Sequence, residues 1–346
     1  MEPKLVQHCP LPFEEAEIHI SGDVYTCCPN WNHRYSIGNI YENSFETVWN
    51  SEKAIELRKK ILKDNYSLCD KKVCSYAQNN YFETFYNTEY KEIMEEYPKS
   101  IKFAYDKECN IACKICRKEV VKNNEEDLKD LNAKIDTFFL PMLKQAEKLI
   151  TNGGGDPFGS RHSRLLIKKA AEKYPNLKFD FHTNGLLCNE NNFKNLNIHP
   201  QMIEKIRISI HAATAKTYGK IVKNGENIFP TIIKNLYYIG ELRKKYEFGF
   251  FIHMVVTADN YKEIPMFIEL AKKVNASPRF WEFRYENCSY QIEENICITD
   301  IGHPKHNELL KVMQHPMVKN NKEIFSPALQ SLIREKRNFW NFFTSP

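Results

Sequence analysis

The chain has 346 residues, of which 42% are hydrophobic and 27% charged, and a net charge of +5. That composition supplies a normal buried core for one large or two ordinary domains and excludes a disordered or low-complexity chain. Lys and Arg are dispersed without a basic block and no apolar run reaches membrane-spanning length, so neither nucleic acid nor membrane is expected as a partner. The first residues hold no signal-peptide core, and a cytoplasmic location is the expectation.

Eleven cysteines are present, and eight of them precede residue 120. In a reducing compartment, clustered thiols indicate metal binding or catalysis rather than a disulfide framework. The metal chemistry is therefore expected in the first third of the chain.

In chain order, residues 1–80 read as a small separate unit. The stretch Glu17 to Cys27 alternates apolar and polar residues around Ser21-Gly22-Asp23, a hairpin signal. Asn43 and Ser44 are expected to cap a helix, with Glu46 completing the box, and Phe45, Val48, Trp49, Ile55, Leu57, Ile61 and Leu62 suit its apolar stripe. A hairpin and one helix bury little on their own and need a staple. Cys9, Cys27 or Cys28, Cys69 and Cys74 supply four thiolates for one. A structural zinc site and a fully ligated iron–sulfur cluster both fit that set, and the cluster is preferred. Cys27 is preferred over Cys28, which precedes Pro29. Residues 81–99, rich in aromatic and acidic side chains, are expected to form a helical linker ending near Pro98.

From Ser100 the pattern changes to alternating strands and helices. Strands are expected at Ile101 to Tyr105, near Lys148, from Leu177, from Ile206, at Phe248 to Thr257 and from Arg279, with a helix from Glu125 to Glu147 broken at Pro141. The predicted class is α/β: a partial (β/α)6 TIM-like barrel over 100–285, with an N-terminal Cys-rich metal-binding module and a helical C-terminal extension over 286–346. The extension is expected to carry helices at Pro304 to Gln314 and Pro327 to Phe343.

Cys109, Cys113 and Cys116 follow the first of these strands with C-x-x-x-C-x-x-C spacing. Three thiolates can hold three corners of a 4Fe–4S cluster and leave one iron open to a ligand. A zinc loop, or a cluster with a distant fourth ligand, is the alternative. One strand later comes Gly153-Gly154-Gly155-Asp156-Pro157. Glycines admit a ligand close to the backbone, and exposed amide nitrogens together with the Asp156 carboxylate would suit an α-amino group beside a carboxylate. The same residues also suit a plain strand-to-helix turn.

The triplet, Gly154 to Pro157 and the Thr183-Asn184-Gly185 turn together resemble the radical S-adenosylmethionine (radical SAM) enzymes. The resemblance covers residues 100–285. It implies that Cys109, Cys113 and Cys116 hold a site-differentiated 4Fe–4S cluster whose open iron chelates S-adenosylmethionine. It further implies reductive cleavage to a 5′-deoxyadenosyl radical that takes a hydrogen atom from substrate. Gly154, Gly155 and Asp156 match the motif for the methionyl amine, Ser209 a position contacting ribose or carboxylate, and Ile115 the residue packing on adenine. Asp156 replaces the usual Glu, Ile115 the usual aromatic residue and His211 a common acidic one, so His211 is given no role.

Residues 1–80 resemble the auxiliary-cluster module called SPASM or twitch, through Gly22 to Cys27, Ile37 to Ile40, Glu46 to Ser51, and Cys69 to Cys74. This implies a second iron–sulfur cluster on Cys9, Cys27, Cys69 and Cys74. The expected reaction is a net oxidation or an epimerisation of a peptide, sugar or other small-molecule substrate, with Cys188, Cys288 and Cys297 as candidate hydrogen donors. An external one-electron reductant such as flavodoxin or ferredoxin is the implied partner. The competing expectation is a non-enzymatic iron–sulfur carrier or zinc scaffold.

Overall fold

The structure is a computed structural model and describes residues 8–29, 32–71, 74, 90–151, 154–284 and 296–333. The chain divides into two compact units, one of residues 1–110, 121–183 and 190–206, the other of 111–120, 184–189 and 207–346.

In the first unit, β1 (Glu15–Ile18) and β2 (Asp23–Tyr25) form the expected antiparallel hairpin, with Glu17 opposite Tyr25. Its turn needs Gly22, whose φ is +86° and where a Cβ would stand 2.5 Å from Asn39 Oδ1. β3 (Gly38–Asn39) extends the hairpin antiparallel to β2.

The single helix expected after Asn43 is two helices, Phe45–Trp49 and Glu52–Leu62. The first cap is Ser44, which accepts from Thr47 N, while Glu46 bonds the Tyr97 hydroxyl instead of closing a capping box. The break falls at Asn50 and Ser51. Ser51 starts the second helix by accepting from Ala54 N at 3.2 Å and donates to the Ile37 carbonyl at 2.5 Å.

Residues 90–99, the described part of the expected helical linker, have no helix. Their backbone groups are taken by side chains of the module. Asn50 pairs both ways with Met94, at 2.9 and 2.8 Å, and Trp49 Nε1 donates to the Glu96 carbonyl at 3.0 Å. A segment bonded outward in this way has no i→i−4 ladder to make. Arg58, fully buried, completes the clamp through the carbonyls of Pro12 and Glu92.

β1 then pairs in parallel with β4 (Ser100–Phe103), β4 with β5 (Lys148–Thr151), and β5 with β6 (Lys178–Thr183). The strand order in this unit is β3-β2-β1-β4-β5-β6, and β7 (Ile203–Ser209) begins beside β6. The chain passes into the second unit within β7, which is followed by β8 (Gly249–Val256) and β9 (Ser277–Glu282), paired in parallel with His253 opposite Arg279. The six strands expected from residue 100 onward are thus present, separated by helices such as Arg161–Lys173, Gly225–Lys245 and Ile264–Lys273. One face of each strand is closed off: Ile101, Leu149, Phe179 and Phe181 in the first unit, and Phe250, Ile252, Met254 and Val256 in the second, are all 0% exposed. The other face carries Lys102, Lys148 and Asp180 in the first unit and Phe251, His253 and Val255 in the second, the alternation of burial that defines register.

The helix expected over 125–147 runs over Glu125–Lys134, widens into a π-helical stretch at Ile135–Phe139 and ends with Leu140–Met142. Pro141 cannot donate to the carbonyl four residues back, and Leu140 N bonds instead to Ile135 O, five residues back. The extension contains His306–Met313, Pro316–Lys319 and Pro327–Gln330, shorter than expected; residues 331–333 of the second expected helix are a turn, and 334–343 lie outside the described residues. Among the described residues no helix is long and apolar enough to cross a membrane.

Candidate functional site

The first unit holds Cys109 and the Gly-rich turn. Cys109 follows β4 and is 8% exposed, with its N–H donated to the Val121 carbonyl at 2.9 Å. The turn after β5 lies against the backbone just before this cysteine. Asp156 N donates to Glu108 O at 2.9 Å, and a Cβ on Gly155 would stand 2.3 Å from that same carbonyl. Only glycine permits this approach, which gives the glycine run a physical reason.

The Asp156 carboxylate is 2% exposed and shapes the turn from inside. Oδ1 accepts from Phe158 N at 3.0 Å and Gly159 N at 2.9 Å, and Oδ2 from the Thr183 hydroxyl at 2.7 Å. Thr183 ends β6, so this bond ties the tips of β5 and β6 together. A second carboxylate, Asp106, was not singled out in the sequence. Its Oδ2 accepts from the hydroxyls of Ser160 and Ser163, and its Oδ1 accepts from Glu108 N at 3.0 Å. Asp106 lies only three residues before Cys109, but no spacing rule marks an acid whose partners are serines more than fifty residues away. Beneath it, His162 is fully buried between the Tyr105 hydroxyl at 2.8 Å and Asn132 Oδ1 at 2.9 Å. Burial pushes the His162 pKa down to about 4.

Cys113, Ile115, Cys116 and Ser209 belong to the second unit. The Cys loop is pinned by paired backbone bonds: Lys114 N to Ile221 O at 2.8 Å and Lys223 N to Ala112 O at 3.1 Å. Cys116 N and Arg117 N both donate to the Cys113 carbonyl at 2.8 Å, which turns the loop tightly. The Arg117 guanidinium donates to Cys116 Sγ at 3.4 Å. Ile115 packs with Val255 against Phe283, Ile296 and Cys297. Ser209 ends β7 and is half-buried.

His211 turns the chain after β7. Its φ is +55°, its N–H donates to His253 O at 3.1 Å, and its Nδ1 accepts from Val255 N at 3.1 Å. Burial holds its pKa down at about 4, so a neutral imidazole serves here as a backbone acceptor.

Of the candidate hydrogen donors, Cys188 is 0% exposed. Cys297 is buried, with Sγ 3.2 Å from Thr299 Oγ1 and 3.3 Å from Asp300 Oδ1. Cys288 lies outside the described residues.

The four N-terminal cysteines share one electrostatic environment inside the first unit. Burial first, then Cys69 and Cys74 among its neighbours, pushes the Cys9 thiol up to about 12. Cys27 is raised well above its ordinary value by burial and then by Cys9, Cys69, Cys74 and Cys28. Cys69 is raised to about 11 by burial and by Cys74. Cys28 also acts on Lys102. Among the described residues no three Cys, His, Asp or Glu side chains already stand at the spacing of a metal-ligand set. What the four thiols have is mutual repulsion once ionised, which a bound multivalent cation relieves. An all-sulfur donor set fits an iron–sulfur cluster or zinc.

Comparison with solved structures finds Streptococcus suis SuiB bound to S-adenosylmethionine at 13% identity over 80% of this chain and 62% of that one, with a TM-score of 0.41. SuiB bound to its precursor peptide SuiA matches at 13% identity over 81% of this chain and 63% of that one, TM-score 0.43. An archaeal TYW1 matches at 15% identity over 60% and 68%, TM-score 0.32. The chain thus spans less than two thirds of the length of the two SuiB structures. No protein of curated function matches it by sequence. Residues 9–75, the segment that brings the four N-terminal cysteines together, match the SPASM family, an iron–sulfur cluster-binding domain.

Proposed function

We propose that the chain is a radical SAM enzyme with an N-terminal SPASM module, acting on a peptide or sugar-type substrate by net oxidation or epimerisation. The observation that carries this reading is the clasp between the Gly-rich turn and the entry to the Cys loop. Asp156 N bonds Glu108 O at 2.9 Å, directly before Cys109, and Gly155 leaves no room for a side chain there. An electron carrier needs thiolates, but it does not need a glycine turn held against the loop that bears them.

In this reading Cys109, Cys113 and Cys116 hold three corners of a 4Fe–4S cluster, and residues 100–285 form the catalytic domain. When bound, the reduced cluster and S-adenosylmethionine supply a 5′-deoxyadenosyl radical that takes a hydrogen atom from substrate. Gly154 and Gly155 offer backbone groups to the methionyl amine, while Asp156 keeps the turn in shape through its bonds to Phe158 N, Gly159 N and Thr183. Ile115 packs against adenine and Ser209 meets the ribose or carboxylate. Arg117 holds the Cys116 sulfur in position through its hydrogen bond. Cys9, Cys27, Cys69 and Cys74 would hold the auxiliary cluster, which would supply an electron acceptor for a net oxidation. Cys297 stands in the same cluster of side chains as Ile115 and is the described thiol best placed to return a hydrogen atom. A flavodoxin or ferredoxin supplies the first electron.

The test is anaerobic reconstitution followed by dithionite reduction with S-adenosylmethionine. Methionine and 5′-deoxyadenosine are expected from the wild type. Replacing Cys109, Cys113 and Cys116 by Ala should abolish both while leaving the N-terminal cluster's absorbance. A folded, two-cluster protein that releases neither product is an electron carrier and overturns the proposal.

A further inference from the structure

In the first unit, one row of side chains links β4 to the strand that leads into the N-terminal cysteines. Glu17 of β1 is the register partner of Lys102 on β4 and of Tyr25 on β2. Neighbouring strands lie about 4.8 Å apart, so the backbone at Lys102 stands roughly 10 Å from that at Tyr25. Tyr25 comes just before Thr26 and Cys27. Lys102 lies between the buried Ile101 and Phe103 and faces the other way. Its side chain is 14% exposed, and its ammonium donates to Glu17 Oε2. Glu17, 3% exposed, also bonds His19 Nε2 at 3.0 Å through Oε1. Burial opposes the charge on Lys102, but Glu17, Glu15 and Cys28 outweigh it and raise its pKa above the ordinary value. Two electrostatic contacts join this lysine to the thiols. Cys28 acts on Lys102 itself, and Glu15, which acts on Lys102, also acts on Cys9. Lys71 acts on Cys69 as well, but it is exposed and so screened by salt.

We propose that Lys102 raises the reduction potential of the auxiliary cluster by holding a fixed positive charge near its thiolates. This rests on the reading that Cys9, Cys27, Cys69 and Cys74 hold that cluster, and it deepens that reading. Reduction adds one electron, and so one negative charge, to an iron–sulfur cluster, and a nearby cation favours the reduced form. A largely buried charge is screened little by salt, so its effect carries. Lysine has a flexible stem that turns readily to solvent, and the bond to Glu17 fixes the ammonium on the inside. Glu17 carries the opposite charge and works against Lys102, so removing one or the other should move the potential in opposite directions. A raised potential suits a cluster that takes one electron in a net oxidation. Lys102 touches no reacting atom in this account and acts only through the cluster.

The experiment is an anaerobic redox titration of the 346-residue chain with Cys109, Cys113 and Cys116 replaced by Ala, so that the auxiliary cluster titrates alone. Absorbance and the EPR signal of the reduced form follow it. On this background K102M is expected to lower the midpoint potential by about 59 mV, a tenfold shift in a one-electron equilibrium. E17Q should raise it. K102R keeps the charge and should stay within about threefold of the background. K194M, which removes an exposed lysine paired with Glu190 at 2.7 Å, should not shift it. K102M leaves the buried Glu17 carboxylate without its cation. If that variant does not fold, E17Q/K102M removes both charges and should lie about tenfold below E17Q. The proposal is overturned if K102M, or E17Q/K102M measured against E17Q, stays within about twofold. It is overturned too if K102M and E17Q move the potential the same way, or if K102R moves it as far as K102M does. A chain that takes up zinc at these thiols and no reducible cluster also overturns it. Neither S-adenosylmethionine nor substrate enters the titration, so its outcome is decided separately from whether the protein cleaves S-adenosylmethionine.

Discussion

Asp156 shows how a residue picked out for one reason acts through another. In the sequence it stands where a carboxylate would meet an amine. In the folded chain its oxygens receive two backbone N–H groups and the Thr183 hydroxyl at 2.7 to 3.0 Å. Asp156→Ala removes the side-chain acceptor of all three donors, so a loss of roughly 3 kcal/mol is expected from urea unfolding. Thr183→Val should cost about 1 kcal/mol and leave the turn formed. If Asp156→Ala unfolds at the wild-type midpoint, the carboxylate has no structural role. His211 makes the same point with a titratable group. Its pKa is about 4 in the folded protein against an ordinary 6.5, because burial penalises the charged ring. The unfolded chain therefore binds the extra proton first, and stability falls as pH drops from 6.5 toward 4. The His211 share of that loss is on the order of 3 kcal/mol. His211→Asn can adopt the positive φ and still accept from Val255 N, so its unfolding midpoint should depend less steeply on pH over this window. An unchanged slope would show that other groups carry the acid sensitivity.

At the scale of elements, the strands were legible because alternation and β-branched or aromatic runs are local properties. Burial along β8 follows period two without a break, although its sequence is a nearly continuous apolar run. Connections were less legible. The split after Trp49 depends on Asn50 being drawn to Met94, forty-four residues away, and the segment 90–99 has no helix because those same bonds take its backbone groups. No window of local propensity contains both partners. The π-helical stretch at Ile135–Phe139 likewise answers to Pro141 and to burying Ile135 and Phe139 together. In the proposed function the Gly-rich turn is the element on which the chemistry depends most. Gly155→Ala would push a methyl group against Glu108 O, 2.3 Å away, at a cost of about 1–3 kcal/mol. It should displace the turn from the Cys loop. Cleavage of S-adenosylmethionine should drop sharply while the N-terminal cluster's absorbance persists. Normal cleavage in this variant would remove the clasp as support for the proposed function.

At the scale of the molecule, the cysteines divide into two sets. Five, Cys9, Cys27, Cys28, Cys69 and Cys74, sit in the segment 9–75 that matches the SPASM family, and the triplet follows it. Besides burial, Cys69 and Cys74 raise the Cys9 thiol, Cys9, Cys69 and Cys74 raise that of Cys27, and Cys74 raises that of Cys69, whereas Cys28 also reaches Lys102. Cys27→Ala is therefore expected to lose about half the iron of the reconstituted protein and Cys28→Ala to lose none, by iron and sulfide analysis of two clusters of equal size. The reverse result would move the ligand to Cys28. In the same unit β1 of this module pairs in parallel with β4. A small hairpin thereby gains a neighbour for its open edge, which a unit of its size needs.

The sequence by itself determined the thiol inventory, the C-x-x-x-C-x-x-C spacing, the glycine turn one strand later and the alternation that makes an α/β chain. These are readable because a loop's ligands and a strand's faces lie within a few residues of one another. Only the tertiary structure decided what the side chains do with those positions. It turned Asp156 inward to Thr183, brought Ser160 and Ser163 onto Asp106, and set Arg279 beside His253 across a strand pair. Each of these juxtapositions joins residues from different strands and helices. Register and packing set them through the burial of distant apolar faces, and no short-range pattern encodes that.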